Sequence, residues 1–188
     1  NKCKWCFVPE KEGDIKAHAD IEEFLRHDKV VLLDNNVLAS EHGIKQIEKL
    51  IRLKVKVDFN QGLDARLIDN TMAKLLAKVK WLKPIRLACD SQSMKKPIQK
   101  AVELLRWNNA TPSQYFVYCL LIDPEESLDR IKFLKGLYLD VFAQPYRDKE
   151  GTEPEQILKD MARFVDRKEI FKTTTWEEYK KLGGAVVS

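Results

Sequence analysis

Apolar residues in this chain follow two alternating rhythms. Short β-branched or aromatic runs stand at 30–34 (VVLLD), 55–60 (VKVDFN), 85–90 (IRLACD), 115–122 (YFVYCLLI) and 139–144 (LDVFAQ), each of strand length. Between them apolar positions recur at three- and four-residue spacing, as in Ile44, Ile47 and Ile51, or Ile98, Val102 and Leu105. The same spacing links Met72, Leu75, Leu76 and Val79, and later Ile157, Met161, Phe164 and Val165. These stripes predict amphipathic helices, so the chain reads as a repeated strand–helix series.

Polar punctuation agrees with this division. Asp123-Pro124-Glu125-Glu126 supplies a cap, a proline for the first helical turn and acids facing the helix dipole. Thr152 with Glu155, and Thr175 with Glu178, each have the spacing of a capping box, and Gly183-Gly184 would stop the last helix. Strands that are continuously apolar and joined by helices imply a parallel sheet with helical cover.

Two α/β architectures accommodate five such units: an open doubly wound sheet, or part of a (β/α) barrel. With 188 residues the chain falls short of the ~250 of a closed eight-stranded barrel. In either case reactive groups collect at the carboxyl ends of the strands. Polar residues do gather there: Asp34, Asn35 and Asn36 after the first run, Asn60, Gln61, Asp64 and Arg66 after the second, and Asp90 and Ser91 after the third.

Composition narrows the setting. An apolar share of 44% suffices for a sizeable core in one domain, and the longest apolar runs end far short of the ~20 residues that cross a bilayer. Four cysteines, two of them inside expected strands, do not form a secreted disulfide framework, so reduced thiols in a cytoplasm are expected. The formal charge of +4 is modest. Lys78-Val79-Lys80-Trp81-Leu82-Lys83 has the composition of a phosphate-binding strip with Trp81 free to stack on a base, but a solvated helix face is the preferred reading and nucleic acid is not an expected partner. His18, His27 and His42 show no metal spacing and are expected at the surface, whereas Trp107, Phe171 and Trp176 are expected to pack.

The chemistry concentrates at Cys3-Lys4-Trp5-Cys6, followed by Phe7-Val8-Pro9. Two thiolates three positions apart, with an aromatic side chain before the second, suit a soft metal centre with a flat apolar surface beside it. A zinc ribbon would need a second cysteine pair, and the remaining Cys89 and Cys119 lie in separate strands, where core packing is expected. A thioredoxin-like redox pair would want a preceding strand and a different interior. One more cysteine four positions before Cys3 would complete CxxxCxxC, and that position lies just upstream of Asn1.

With the cysteine loop, the VVLLDNN strand end and the VDFNQGLDARL segment in this order, the chain resembles the radical SAM enzymes. The resemblance implies a partial (β/α)6 TIM-type barrel over 1–147, with its first strand and first cluster cysteine expected upstream of Asn1, and a helical extension over 148–188 packing on the barrel. It implies a [4Fe-4S] cluster held through Cys3 and Cys6, whose open iron binds S-adenosylmethionine. Reductive cleavage of that cofactor, fed by a one-electron donor such as flavodoxin or ferredoxin, yields a 5′-deoxyadenosyl radical that abstracts hydrogen from a substrate the resemblance does not specify.

Carried over by position, Trp5 would pack beside the adenine, and Asp34, Asn35 and Asn36 stand where the family has its glycine-rich contact with the methionine ammonium. Asn60 and Asp64 would serve the cofactor, Asp64 through the ribose hydroxyls, and Arg66 would pair with the methionine carboxylate. The glycine motif of the family's fifth strand is absent from Tyr118-Cys119-Leu120-Leu121-Ile122-Asp123, and Gln144, Pro145 and Tyr146 are secondary candidates near adenine or substrate. A structural ion pair is the competing role for Asp64 and Arg66. From a different class, a noncatalytic barrel that recruits a partner remains the alternative.

Overall fold

Strand–helix alternation yields a mixed α/β chain, of which the computed structural model describes residues 8–110 and 115–183. In chain order the first half contains α1 (Val8–Glu12), α2 (Ile21–Phe24), β1 (Lys29–Leu32), α3 (Glu41–Arg52), β2 (Lys56–Phe59), α4 (Asn70–Leu76) and β3 (Lys80–Trp81). Then come β4 (Ile85–Ala88), α5 (Lys95–Trp107), β5 (Tyr115–Leu121), α6 (Pro124–Gly136), β6 (Asp140–Pro145), α7 (Gln156–Asp166), α8 (Lys168–Thr173) and α9 (Trp176–Lys181).

All strand pairs are parallel. They form two three-stranded sheets in consecutive order, β1-β2-β3 and β4-β5-β6, and the described strands do not close into a barrel. Period-two burial gives each sheet two faces: Val57, Phe59, Leu87, Val117, Cys119 and Val141 are buried in the core, and Ile47, Leu105 and Leu134 of the helices belong to the same core. Val31, Asp58, Arg86, Phe116, Tyr118 and Phe142 occupy the opposite face, where the register places Val31 beside Asp58, Arg86 beside Phe116 and Tyr118 beside Phe142.

The two sheets meet along β2 and β4. Asp58 and Arg86 form an ion pair across this seam, with side chains 6% and 15% exposed, and Leu63 donates its amide to the Arg86 carbonyl at 2.8 Å. Gly62, just before Leu63, takes a left-handed φ of +84° that favours glycine in this turn.

Asp123 caps α6 by accepting from the Glu126 amide at 2.8 Å, and Thr175 with Glu178 closes the capping box of α9. Three other expectations are corrected. Thr152 does not cap α7, whose N-cap is Glu155; instead the Thr152 amide donates to Asp148 in a turn built around Gly151. Residues 78–83 are no helix face, because α4 ends at Leu76 and Lys80–Trp81 pairs with β2. Trp107, expected to pack, is 84% exposed, since it lies off the α5 stripe of Ile98, Ala101, Val102 and Leu105 that faces the core, whereas Phe171 and Trp176 are buried with Phe164 and Tyr179. His18 and His27 are exposed and His42 is half-buried.

Residues 156–166 pack on the last strand. The Ala143 amide donates to Asp166 at 2.9 Å, and Leu158, Met161 and Val165 join the common core.

Candidate functional site

Parallel strands bring the polar loops that follow them to one end of the sheets. After β1 the chain passes through Asp34 and Asn35, both exposed, to Asn36, which precedes a 3-10 turn at Val37–Ala39. This turn is held tightly against α3: a Cβ on Gly43 would lie 2.0 Å from the Val37 carbonyl oxygen, so only glycine fits. After β2, Asp64 caps a second 3-10 turn at Ala65–Leu67 through the Arg66 amide at 3.0 Å.

Asn36 and Asp64 meet between these loops, with the Asn36 amide nitrogen 3.5 Å from Asp64 Oδ2. Arg66 grips the same carboxylate in a fork, Nε on Oδ1 and Nη2 on Oδ2, both at 2.9 Å. Burial of Asp64 pushes its pKa up, but the hydrogen bonds and charge of Arg66 outweigh it and hold the carboxyl below its ordinary value. The carbonyl oxygen of the Asn36 side chain is buried and has no hydrogen-bond partner among the described residues. Such an acceptor is costly to leave unmade.

Cys3, Trp5 and Cys6 lie outside the described residues. The helix that follows them is tied to the strand end, because Glu12 of α1 accepts from the Asn35 amide at 2.7 Å. Lys149, beyond β6, pairs with Glu10 of the same helix at 2.6 Å. These are solvent-exposed links, so they position α1 more than they stabilise it.

Other expected site residues fall nearby but do not converge in the same way. The main chain of Asn60 is engaged, its carbonyl accepting from the Tyr118 hydroxyl at 3.3 Å, and its side chain makes no hydrogen bond among the described residues. Gln144 is exposed, and Tyr146 donates its amide to the Leu121 carbonyl at 2.8 Å. Asp90 ties β4 to β5 by accepting from the Leu120 amide at 3.0 Å, and burial raises its pKa.

Two features of this end were not foreseen. The Asp58–Arg86 pair stands on the sheet face opposite the core, below the strand ends; its traces in the sequence are Asp58 in VKVDFN, a run that also carries Lys56, and Arg86 in IRLACD. Arg130, 1% exposed, reaches from α6 to the Cys89 carbonyl at 2.7 Å and the Leu120 carbonyl at 2.8 Å, with Ser127 Oγ at 3.3 Å. A basic residue on the buried stripe of α6, three positions after a buried serine, is the trace that could have revealed it.

Cys89 and Cys119 are free and buried, as their strand positions implied. Burial pushes the Cys89 thiol up to about 11 and the Cys119 thiol up to about 12, so neither is a ready thiolate. Among the described residues no three His, Cys, Asp or Glu side chains group to hold a metal, and no helix is long and apolar enough to cross a membrane.

By its strand order and polar strand ends, the chain is an α/β protein with parallel sheets and a candidate site at their carboxyl ends. No protein-family model matches it, and neither does a curated protein or a solved structure.

Proposed function

We propose that this chain is the cofactor-binding core of a radical SAM enzyme, with its strands arranged as a partial (β/α)6 barrel. The observation that carries the reading is the Glu12–Asn35 hydrogen bond, which joins the helix after the cysteine loop to the loop leading into Asn36 and Asp64. Consecutive strand order supports the barrel-like winding, since a doubly wound sheet reverses its order at a switch point.

The residues present fit the cofactors in part. Cys3 and Cys6 would supply two thiolates to a [4Fe-4S] cluster, and Trp5 an apolar surface beside it. The buried Asn36 Oδ1 is an acceptor suited to an ammonium donor, and Asp64 is a buried carboxylate suited to hydroxyl donors. Arg66 would have to share or release Asp64 to take a carboxylate, so cofactor binding and this ion pair are coupled. Asp34, Asn35 and Asn60 frame the same mouth. When bound, the cluster and S-adenosylmethionine would supply one-electron cleavage of a sulfonium and the hydrogen-abstracting group; Tyr118 and Phe142, in edge contact on the sheet face opposite the core, would flank it.

The test is anaerobic reconstitution of the full-length gene product with iron and sulfide, read by electron paramagnetic resonance after reduction. A cubane signal that changes on adding S-adenosylmethionine supports the reading. Absence of any cluster removes it and leaves a noncatalytic barrel that recruits a partner.

A further inference from the structure

The end of the molecule opposite the candidate site carries the inference. Lys29, Lys56 and Lys80 are aligned Cα to Cα across β1, β2 and β3, at the first residue of each strand, and all three are exposed. Adjacent strands lie about 4.8 Å apart, so this is a ladder of like charges at close spacing. Lys54, Lys78 and Lys83, also exposed, sit in the turns that enter and leave these strands.

None of the six ammonium groups has an ion-pair or hydrogen-bond partner among the described residues. Elsewhere Lys49, Lys95, Lys132, Lys149, Lys159 and Lys168 each pair with a carboxylate. The one acid adjoining the ladder in sequence, Asp28, is exposed and forms no ion pair among the described residues. Like charges facing each other on neighbouring strands repel, so the ladder is a cost the fold carries without internal compensation.

A second cost stands at the same end of the other sheet. Tyr138 follows α6 with a φ of +56° and is 91% exposed, although a bulky residue is disfavoured in the left-handed region and no burial of the ring repays it. Trp107 ends α5 nearby in the fold, and Arg106 donates to the Leu137 carbonyl at 2.7 Å, tying the two turns together. Cations on one half and two open aromatic rings on the other are the two components of a single-stranded nucleic-acid surface: ammonium groups follow the phosphates and rings stack on bases. Trp81 is not one of those rings, since its indole nitrogen donates to the Leu76 carbonyl at 3.1 Å and its ring packs on Phe59. A bilayer surface is less well matched, because among the described residues Leu53 is the one exposed large aliphatic side chain in these turns.

We infer that the amino-terminal strand ends bind single-stranded nucleic acid, through the Lys29–Lys56–Lys80 ladder on its phosphates and Trp107 and Tyr138 on its bases. The site is independent of any cluster chemistry.

Fluorescence anisotropy with a labelled 20-nucleotide RNA, measured against salt, is the test. Replacing the ladder by Lys29→Gln, Lys56→Gln and Lys80→Gln should weaken binding at least tenfold at low salt. It should also reduce the slope of log affinity against log salt by about 2, because each phosphate neutralised on a single strand contributes about 0.7. The melting temperature should hold or rise as repulsion is relieved, which separates impaired binding from impaired folding. Trp107→Ala with Tyr138→Ala should weaken binding at least tenfold with the slope unchanged. Lys168→Gln with Lys172→Gln, at paired cations, should change nothing. No binding by the unmodified protein, binding indifferent to the ladder, equal affinity for duplex, or preference for vesicles of anionic phospholipid would each overturn the inference.

Discussion

β5 runs seven residues with every second side chain buried and a hydrogen-bonded strand on each side, whereas β1 runs four, has β2 as its sole described neighbour, and leaves Val31 53% exposed, with Leu33 just after it 65% exposed. The β4–β6 sheet is backed by α5, α6 and α7 and locked at its carboxyl ends by Arg130. The β1–β3 sheet instead carries the loops of the candidate site, the α1 tether and the lysine ladder. One repeated pattern thus takes two forms: the second sheet is a packed scaffold, and the first leaves more of its surface exposed. Among the described strands β1 is an edge, and an edge with exposed apolar side chains is a template for further pairing.

The largest expected effect lies in the scaffold. Arg130→Met removes the donors from the buried Cys89 carbonyl and the half-buried Leu120 carbonyl and should cost about 3 kcal/mol in chemical denaturation, since each buried acceptor left unmade costs ~1–3 kcal/mol. A loss below about 1 kcal/mol would mean that the clamp does not hold this sheet.

Next comes the seam between the halves. Asp58→Ala leaves Arg86 as an uncompensated and largely buried charge and should cost about 3 kcal/mol, while Asp58→Leu combined with Arg86→Met should cost less than either single change. A double-mutant cycle on urea midpoints checks this. Additive losses would show that the two side chains act separately and that the sheets are joined by their backbone alone.

Much of this contrast was readable and some was not. The alternation of periods placed the strands β1, β2, β4, β5 and β6 within two residues, and the caps at Asp123 and Thr175 followed from local chemistry that needs no tertiary partner. β3 escaped notice because two residues are too few to show a period, and because Lys80 and Trp81 belong to a lysine-rich run that mimics a solvated helix. Trp107 misleads for a different reason: a large aromatic side chain suggests burial, but two positions after Leu105 it falls about 200° around the helix from the stripe that faces the core. At the site, Asp64 and Arg66 were legible because their bond is local. The Asp58–Arg86 pair joins positions 28 apart, and no local pattern announces such a partner.

A smaller effect of opposite sign belongs to the turn after α6. Tyr138→Gly relieves the left-handed conformation and should stabilise the protein by about 1 kcal/mol, seen as a rise in melting temperature. No rise would mean that the tyrosine is not strained there.

The smallest effect is acid sensitivity at the site. Because Asp64 has a folded-state pKa below its unfolded value, the stability it contributes is present above the unfolded pKa of about 3.9 and is lost as pH falls through the lower folded value. Arg66 is 42% exposed, so solvent screening limits the contribution to below about 1 kcal/mol. Comparing the unmodified protein with Asp64→Asn, the stability gap should be widest near neutral pH and close in acid; a gap constant with pH would remove the ion pair as its cause.

The proposal that the first sheet's strand ends form a cofactor mouth is tested most directly by 5′-deoxyadenosine release from the cluster-loaded, full-length gene product under reductant and S-adenosylmethionine. The account predicts release by the unmodified protein, and a drop of at least tenfold in Asp64→Ala with cluster absorbance intact. A loaded protein that never cleaves the cofactor, or one whose cleavage ignores Asp64, contradicts it.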